Sequence, residues 1–369
     1  MFDIVAVTEP ALIDAVYEGV EIALQEDIAA ILNTPKLHEW QLADFTTQQT
    51  LMQYLANAEL RQHWAAGEQL TNTLYNLAVI DRLAAQYKND IAQHLNPQTE
   101  NIAPFYAMFE QAAKLTALNM ALVSKIGYDV QGRQYAQHLR NIGIDMQHTP
   151  FAANDTGLCV SMQFKTGHLP KAMATRLSNF KTLSHCSAQD MQAICQQTRY
   201  LLIEGYLLGS EKEQAKQLLA IAQQTKQTQD LQIGLTLSAQ KVAADMGVEL
   251  VKQFDFVAAN EEEFNALLGD ECSFEQVQNA LDPNRQKSII YTRGKQGAIL
   301  TRQHQTEIIT AKALPPEAVI DVTGAGDAFL AGLLFGFLQN QPLRYCGEMA
   351  SLVARQIVQT HGARLNFGI

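Results

Sequence analysis

Asp321-Val-Thr-Gly-Ala-Gly-Asp-Ala-Phe329 runs directly into Leu330-Ala-Gly-Leu-Leu-Phe-Gly-Phe-Leu338. The first segment is a glycine-rich turn and the second is a strongly apolar helical pattern. A turn of this kind, opening a helix, presents several backbone N–H groups that have no intrahelical acceptor. The helix dipole adds positive potential at the same place, and small residues let an anion approach the amides closely. Asp327 lies inside this turn. A carboxylate there opposes anion binding, yet it suits a group that must take a proton from a hydroxyl about to attack phosphorus. By residue type alone, Asp327 can equally be an ordinary helix cap.

Upstream, short apolar runs alternate with longer helical patterns. Ile4–Val7, Ala121–Ser124, Tyr200–Ile203, Ile233–Leu237, Phe256–Ala258 and Ser288–Tyr291 read as strands. Asp190–Thr198, Glu211–Thr225 and Glu261–Leu268 read as helices. This rhythm predicts an α/β fold, a central and mainly parallel sheet flanked by helices on both faces. With no repeat and no low-complexity linker, residues 1–369 read as a single domain. Two more polar, less periodic stretches, about 14–42 and 148–182, interrupt the rhythm. They are expected either to form a small lid over the mouth of the sheet or to be surface excursions. Within the second, Thr156–Phe164 alternates like an exposed strand.

Composition narrows the partners. The 369 residues carry 38 acidic against 27 basic side chains, a formal charge of −11. That excess argues against nucleic acid, which needs clustered Lys and Arg, but not against a nucleotide. The five cysteines are scattered without zinc-ligand spacing and read as reduced thiols of a cytoplasmic protein. The first residues show no secretory signal, and Ala328–Leu338 is too short to cross a bilayer, so no membrane partner is expected.

Two further segments carry local chemistry. Phe256-Val-Ala-Ala-Asn-Glu-Glu-Glu263 places Asn260 after a strand and Glu263 three residues on, which is a capping-box pattern. Ser288–Leu300 reads as a strand, a Gly-containing turn and a second strand. No Gly-x-x-x-x-Gly-Lys-Ser/Thr segment occurs, which excludes a Walker-type nucleotide site.

The Asp321–Phe329 segment resembles the closing signature of the ribokinase (PfkB) family of carbohydrate and nucleoside kinases, Asp-Thr-x-Gly-Ala-Gly-Asp-x-Phe. Only the residue after the first Asp differs, as Val322. The family's Asn-x-x-Glu matches Asn260 and Glu263, and its Thr-x-Gly-x-x-Gly matches Thr292, Gly294 and Gly297, in the family's order. Ser124–Arg133, Ile203–Leu208, Leu235–Ser238 and the tail His361–Arg364 are similar to the adenosine-kinase-like branch. Thr71–Asn76 is similar to the inosine-guanosine kinases.

The resemblance implies a ribokinase-like fold with a small lid. It implies Asp327 as the catalytic base and the amides of Gly324, Ala325, Gly326 and Asp327 as an anion hole for the migrating phosphoryl group. Asn260 and Glu263 would order Mg²⁺ and its waters. Thr292, Gly294 and Gly297, with Asp321 and Thr323, would lie on the nucleotide side. ATP and Mg²⁺ are the implied cofactors, with room for a monovalent cation, and the assembly would be a monomer or a homodimer.

The acceptor side departs from the pattern. The family's Gly-Gly-x-x-x-Asn stands here as Gly67-Glu-Gln-Leu-Thr-Asn72, and its Gly-Asn-x-x-x-Asp as Glu9-Pro-Ala-Leu-Ile-Asp14. Asp14, Gly67 and Asn72 remain as the implied acceptor contacts, while Glu68 brings a carboxylate and resists a positive φ. The expected activity is transfer of a γ-phosphoryl group to the 5′-hydroxymethyl of an adenosine- or inosine/guanosine-type nucleoside. The alternatives are a free sugar or sugar phosphate as acceptor, or a non-catalytic ligand-binding protein on the kinase scaffold.

Overall fold

The computed structural model describes residues 1–34, 41–58, 60–66, 69–93, 101–112, 114–164, 171–177 and 181–367. Its main sheet has eight strands. In spatial order they are Gln305–Ile309, Ala298–Arg302, Ser288–Thr292, Phe256–Asn260, Gln232–Thr236, Thr198–Glu204, Phe2–Val7 and Met120–Val123. The run from Ser288–Thr292 to Met120–Val123 pairs parallel throughout, and Ala298–Arg302 runs antiparallel to both its neighbours.

The parallel strands are apolar on both faces because helices cover both. Along the first strand, Ile4 and Ala6 enter one core and Val5 and Val7 the other. Along the Thr198–Glu204 strand, Tyr200 and Leu202 fall on the first side, Leu201 and Ile203 on the second. The predicted strands and helices are present, with ends shifted by a few residues.

One face is built around helix Ala325–Leu338, whose residues from Ala328 to Leu338 are all buried. It packs between helices Gln69–Ala92 and Leu343–Ile357. Gly332 and Gly336 lie one turn apart on the same helix face. A Cβ on Gly332 would sit 2.7 Å from Ala350 Cα, and one on Gly336 would sit 2.6 Å from Cys346 Sγ. The glycines therefore let the two helices approach closely. Each fully buried Leu or Phe of this helix contributes about 1.5–3 kcal/mol. That burial anchors the turn at its N-terminus.

A second sheet of five strands runs in the order Gln41–Leu42, Lys171–Arg176, Gly157–Phe164, Leu12–Val20, Arg61–Ala66. Helices Gln25–Ile31 and Phe45–Asn57 close one of its faces over a small core that includes Tyr17, Ile28, Leu51, Leu55 and Met162. The two polar stretches read from the sequence supply four of these strands. Arg61–Ala66 and the Phe45–Asn57 helix lie outside them. The Gly157–Phe164 strand is not exposed: it is the middle strand, and Cys159, Val160, Ser161, Met162 and Phe164 are buried. Its alternation separates two covered faces, one of them the small core of the second sheet.

The chain passes between the two sheets four times, and buried or half-buried carboxylates hold each passage. Glu204 accepts the N–H of Glu9 at 3.1 Å and of Gln69 at 3.3 Å. Asp129 accepts the Thr156 N–H at 2.7 Å and its hydroxyl at 2.8 Å. Glu211 accepts the N–H groups of Thr182 and Leu183 at 2.5 and 2.8 Å. A charge-assisted acceptor satisfies these amides where the chain leaves the regular ladder.

Candidate active site

The parallel strands all end at one rim of the main sheet, and the candidate residues gather there, as ligand sites do in open α/β sheets. Asn260 closes its strand and is the register partner of Thr292 on the next one. The capping box exists: Asn260 Oδ1 accepts the Glu263 N–H at 2.8 Å, and Glu263 Oε2 accepts the Asn260 N–H at 3.0 Å. Thr292 leads into the Gly294–Gln296 turn and the antiparallel return strand. Gly297 there has φ +93°, and a Cβ would meet the Ile309 carbonyl at 1.9 Å, so packing alone requires glycine.

The Gly-rich turn caps helix Ala325–Leu338 with Gly324 in the left-handed region, φ 76°. A Cβ at Gly324 would lie 2.3 Å from Ala363 Cβ. Asp321 shapes the preceding bend: its carboxylate accepts the Thr323 N–H at 2.9 Å and the Gly362 N–H at 3.2 Å. Of the four expected anion-hole amides, Ala325 N–H turns back onto the Val322 carbonyl at 3.2 Å. The N–H groups of Gly326 and Asp327 belong to the first helical turn and have no acceptor within the helix. Gly326 is exposed, and nothing lies within 4 Å of where its Cβ would stand. Packing does not demand glycine here; a bare backbone keeps the space beside the helix end open.

Asp327 sits in the first turn of that helix. The residue is half-buried, and desolvation of the carboxylate pushes it up to about 7, opposed by the Asn72 side chain and assisted by the Glu263 charge. Its main-chain carbonyl accepts from Thr73 Oγ1 at 3.3 Å. Glu263 is also raised by burial, against the Asn260 hydrogen bond. Glu204, fully buried, is pushed up to about 8 by burial and then by the Glu9 carboxyl, with Asp327 adding repulsion. Glu263 thus raises Asp327, and Glu9 and Asp327 raise Glu204, a rim at which a positive charge would be stabilising.

Among the described residues, no group of three His, Cys, Asp or Glu side chains could hold a metal ion unaided. Mg²⁺ in phosphoryl-transfer sites is commonly held through one or two carboxylates while phosphates and water complete its shell. Glu263 has one oxygen committed to its cap and a second to offer.

On the acceptor side, Asn72 is buried in helix Gln69–Ala92, between Asp327 and Arg364 Nε, which donates to its Oδ1 at 3.1 Å. Asp14 lies on the second sheet, its backbone in register with Ala65 and Cys159. Gly67 and Glu68 lie outside the described residues. Glu9 follows the first strand half-buried, raised by burial against a hydrogen bond from Ser210.

Several residues of the site carry no role in the sequence reading. Glu204 ties both Glu9 and Gln69 to the main sheet. Ser238 adopts φ 68°, accepts the Gly205 N–H on its hydroxyl at 2.9 Å, and offers its carbonyl to Gln69 Nε2 at 2.7 Å. Asn76 brackets the tail, donating to the Ala363 carbonyl at 2.9 Å and accepting the Leu365 N–H at 2.7 Å. Their one sequence signal was membership of the branch-like segments Ile203–Leu208, Leu235–Ser238 and Thr71–Asn76; the partners lie far away in the chain.

An eight-stranded, mainly parallel sheet with helices on both faces and a glycine-rich helix start at its rim defines a ribokinase-like α/β fold. The chain belongs to the pfkB family of carbohydrate kinases, whose model matches residues 110–367. Adenosine kinase from Sinorhizobium meliloti superimposes with a TM-score of 0.70 at 19% identity, covering 99% of this chain and 96% of that one. Anopheles gambiae adenosine kinase, solved with P1,P4-di(adenosine-5) tetraphosphate, gives 0.70 at 18% identity over 100% of both chains. Dictyostelium discoideum adenosine kinase is 24% identical over 60% of this chain and 67% of its own. A nucleoside kinase of Methanothermobacter thermautotrophicus is 40% identical over 78 residues, 21% of this chain and 24% of that protein. A 2-dehydro-3-deoxygluconokinase of Haemophilus influenzae is 28% identical over 33% of this chain and 38% of its own. The chain thus spans only about a quarter of the length of the nucleoside kinase it matches. No helix among the described residues is long and apolar enough to cross a membrane.

Proposed function

We propose that the chain passes the γ-phosphoryl group of Mg·ATP to the 5′-hydroxymethyl of a purine nucleoside. The observation that carries this is the desolvated Asp327 carboxylate in the first turn of a helix whose Gly326 and Asp327 amides have no acceptor within the helix. Bound Mg·ATP supplies the phosphoryl group and the metal charge. Asp327 accepts the hydroxyl proton, and the amides of Gly324, Gly326 and Asp327 stabilise charge on the transferring group, with Ala325 rotating out of its turn contact to join them. Asn260 and Glu263 hold the metal side, while Thr292, Gly294, Gly297, Asp321 and Thr323 shape the nucleotide side. Asp14, Gly67 and Asn72 are the acceptor contacts that the family resemblance implies. The second sheet acts as the lid of a single unit, and its closure limits ATP hydrolysis.

The likeness to adenosine kinases over nearly the whole chain supports a nucleoside acceptor. The sugar-kinase relatives favour a second reading, the same chemistry on a sugar acceptor. A panel of nucleosides, sugars and sugar phosphates incubated with Mg·ATP separates the two. We expect adenosine, inosine or guanosine to give a 5′-monophosphate; product from sugars alone overturns the nucleoside assignment.

The pH dependence follows from Asp327. The ionised carboxylate is the working form and its pKa is raised to about 7. The plot of log kcat/KM should therefore fall below pH ~7 with a slope approaching one per pH unit. A profile flat from pH 5 to 8 would remove Asp327 as the base.

A further inference from the structure

We infer that Arg364 is a positioning residue for the base: by holding the Asn72 carboxamide it points an N–H donor at the Asp327 carboxylate. The inference rests on the reading of Asp327 as the base. A guanidinium has donors only, so the group it meets on Asn72 is the carboxamide oxygen. Arg364 Nε donates to Asn72 Oδ1 at 3.1 Å. The carboxamide is planar, with its oxygen and NH₂ on opposite prongs. Once the oxygen is held, the NH₂ prong turns the other way, toward the helix start, where the next residue, Thr73, touches the Asp327 carbonyl at 3.3 Å. The Asn72 side chain lowers the Asp327 carboxyl. Rotated by half a turn, the same side chain would set an oxygen against a carboxylate.

The surroundings hold Arg364 firmly. Its guanidinium carbon lies 4.5 Å from the centre of the Tyr75 ring and 5.9 Å from that of Tyr135. Stacking on aromatic faces favours this cation and fixes the plane of its fork. The Tyr135 hydroxyl in turn donates to Thr71 Oγ1 at 3.0 Å. Residues on both sides of Arg364 are bracketed by Asn76, one turn beyond Asn72 on the same helix face. Two asparagines of one helix thus read three consecutive residues of the tail.

The charged groups facing Asp327 are Glu263, from helix Glu261–Leu268, and Glu204, from the end of its strand. Glu263 repels its ionised form, while Asp327 in turn raises Glu204. The Asn72 N–H is the polar counterweight, and Arg364 ensures that it is an N–H rather than an oxygen that faces the base.

The test is a double-mutant cycle with adenosine and Mg·ATP. Arg364→Met keeps the aliphatic stem and should lower kcat by about 10- to 100-fold, as expected for a misplaced catalytic constellation, with the KM for ATP within about twofold. Arg364→Lys, which retains a donor, should recover part of that loss. Asn72→Ala and the Asn72→Ala/Arg364→Met double variant should have equal kcat, since Arg364 acts through Asn72. Additive losses, or a raised KM with kcat unchanged, overturn the inference.

A second arm needs no turnover. Asp327→Asn should shift the side-chain ¹⁵N–¹H resonances of Asn72, and in the Arg364→Met background that response should vanish. A preserved response overturns the inference. Asp327→Asn also separates the two readings. Wild-type turnover in that variant removes the base, whereas an inactive Asp327→Asn beside a wild-type-like Arg364→Met removes only the role of Arg364.

Discussion

Asp327→Asn lowers kcat by about 10²–10⁴-fold, the range supplied by a positioned general base, and leaves the Kd for ATP within about twofold. The substitution keeps shape and most of the local hydrogen bonding but cannot take a proton. It should also raise stability at neutral pH. The carboxyl titrates near 7 in the folded protein against a reference value of 3.8. Its contribution to stability is therefore greatest below pH 3.8, declines as pH rises through 7, and is constant above. The Asn variant carries no such loss. Its Tm should exceed that of the parent at pH 8, and the difference should close near pH 4. Equal kcat in parent and variant would sink the assignment; equal Tm at both pH values would show that protein does not desolvate the carboxylate.

Gly324→Ala is expected to lower kcat by about 10²–10³-fold, the effect of losing a preorganised donor, and to lower Tm as well. Two costs combine. The backbone there has φ 76°, which an L-residue adopts only with strain. The new methyl group also lands 2.3 Å from Ala363 Cβ. Relief must come from moving either the turn, which carries the amides, or the tail, which carries Arg364. Combining it with Ala363→Gly should recover part of the Tm by removing the contact, while kcat stays low because the backbone strain persists. Turnover within about twofold of the parent would show that these amides do not serve the transferring group.

Both effects concentrate in one contiguous segment, which is why the expected reaction could be read from local sequence. The N–H array of a Gly-rich helix start, the proposed base inside it and the buried helix behind it are encoded within Asp321–Leu338. Asn260 and Glu263 are likewise three residues apart, and their capping box is a local geometry. The strands of the main sheet were readable because parallel strands covered on both faces must be continuously apolar.

The second sheet was harder. Its middle strand alternates as an exposed strand would, because its two faces meet different coverings. Its strand Arg61–Ala66 has no pattern that separates it from a loop.

Asp321–Asp327 thus specifies from within itself a helix start that can hold an anion beside a carboxylate. Tertiary packing alone settles what state that carboxylate is in and what surrounds it. Burial and Glu263 raise Asp327, and Asn72, some 255 residues earlier in the chain, opposes them. Arg364 reaches Asn72 across 292 positions, and Glu204 fastens Glu9 and Gln69 across 195 and 135. Backbone conformation depends on immediate neighbours, whereas desolvation and the pairing of buried polar groups depend on whatever the fold brings within a few ångströms.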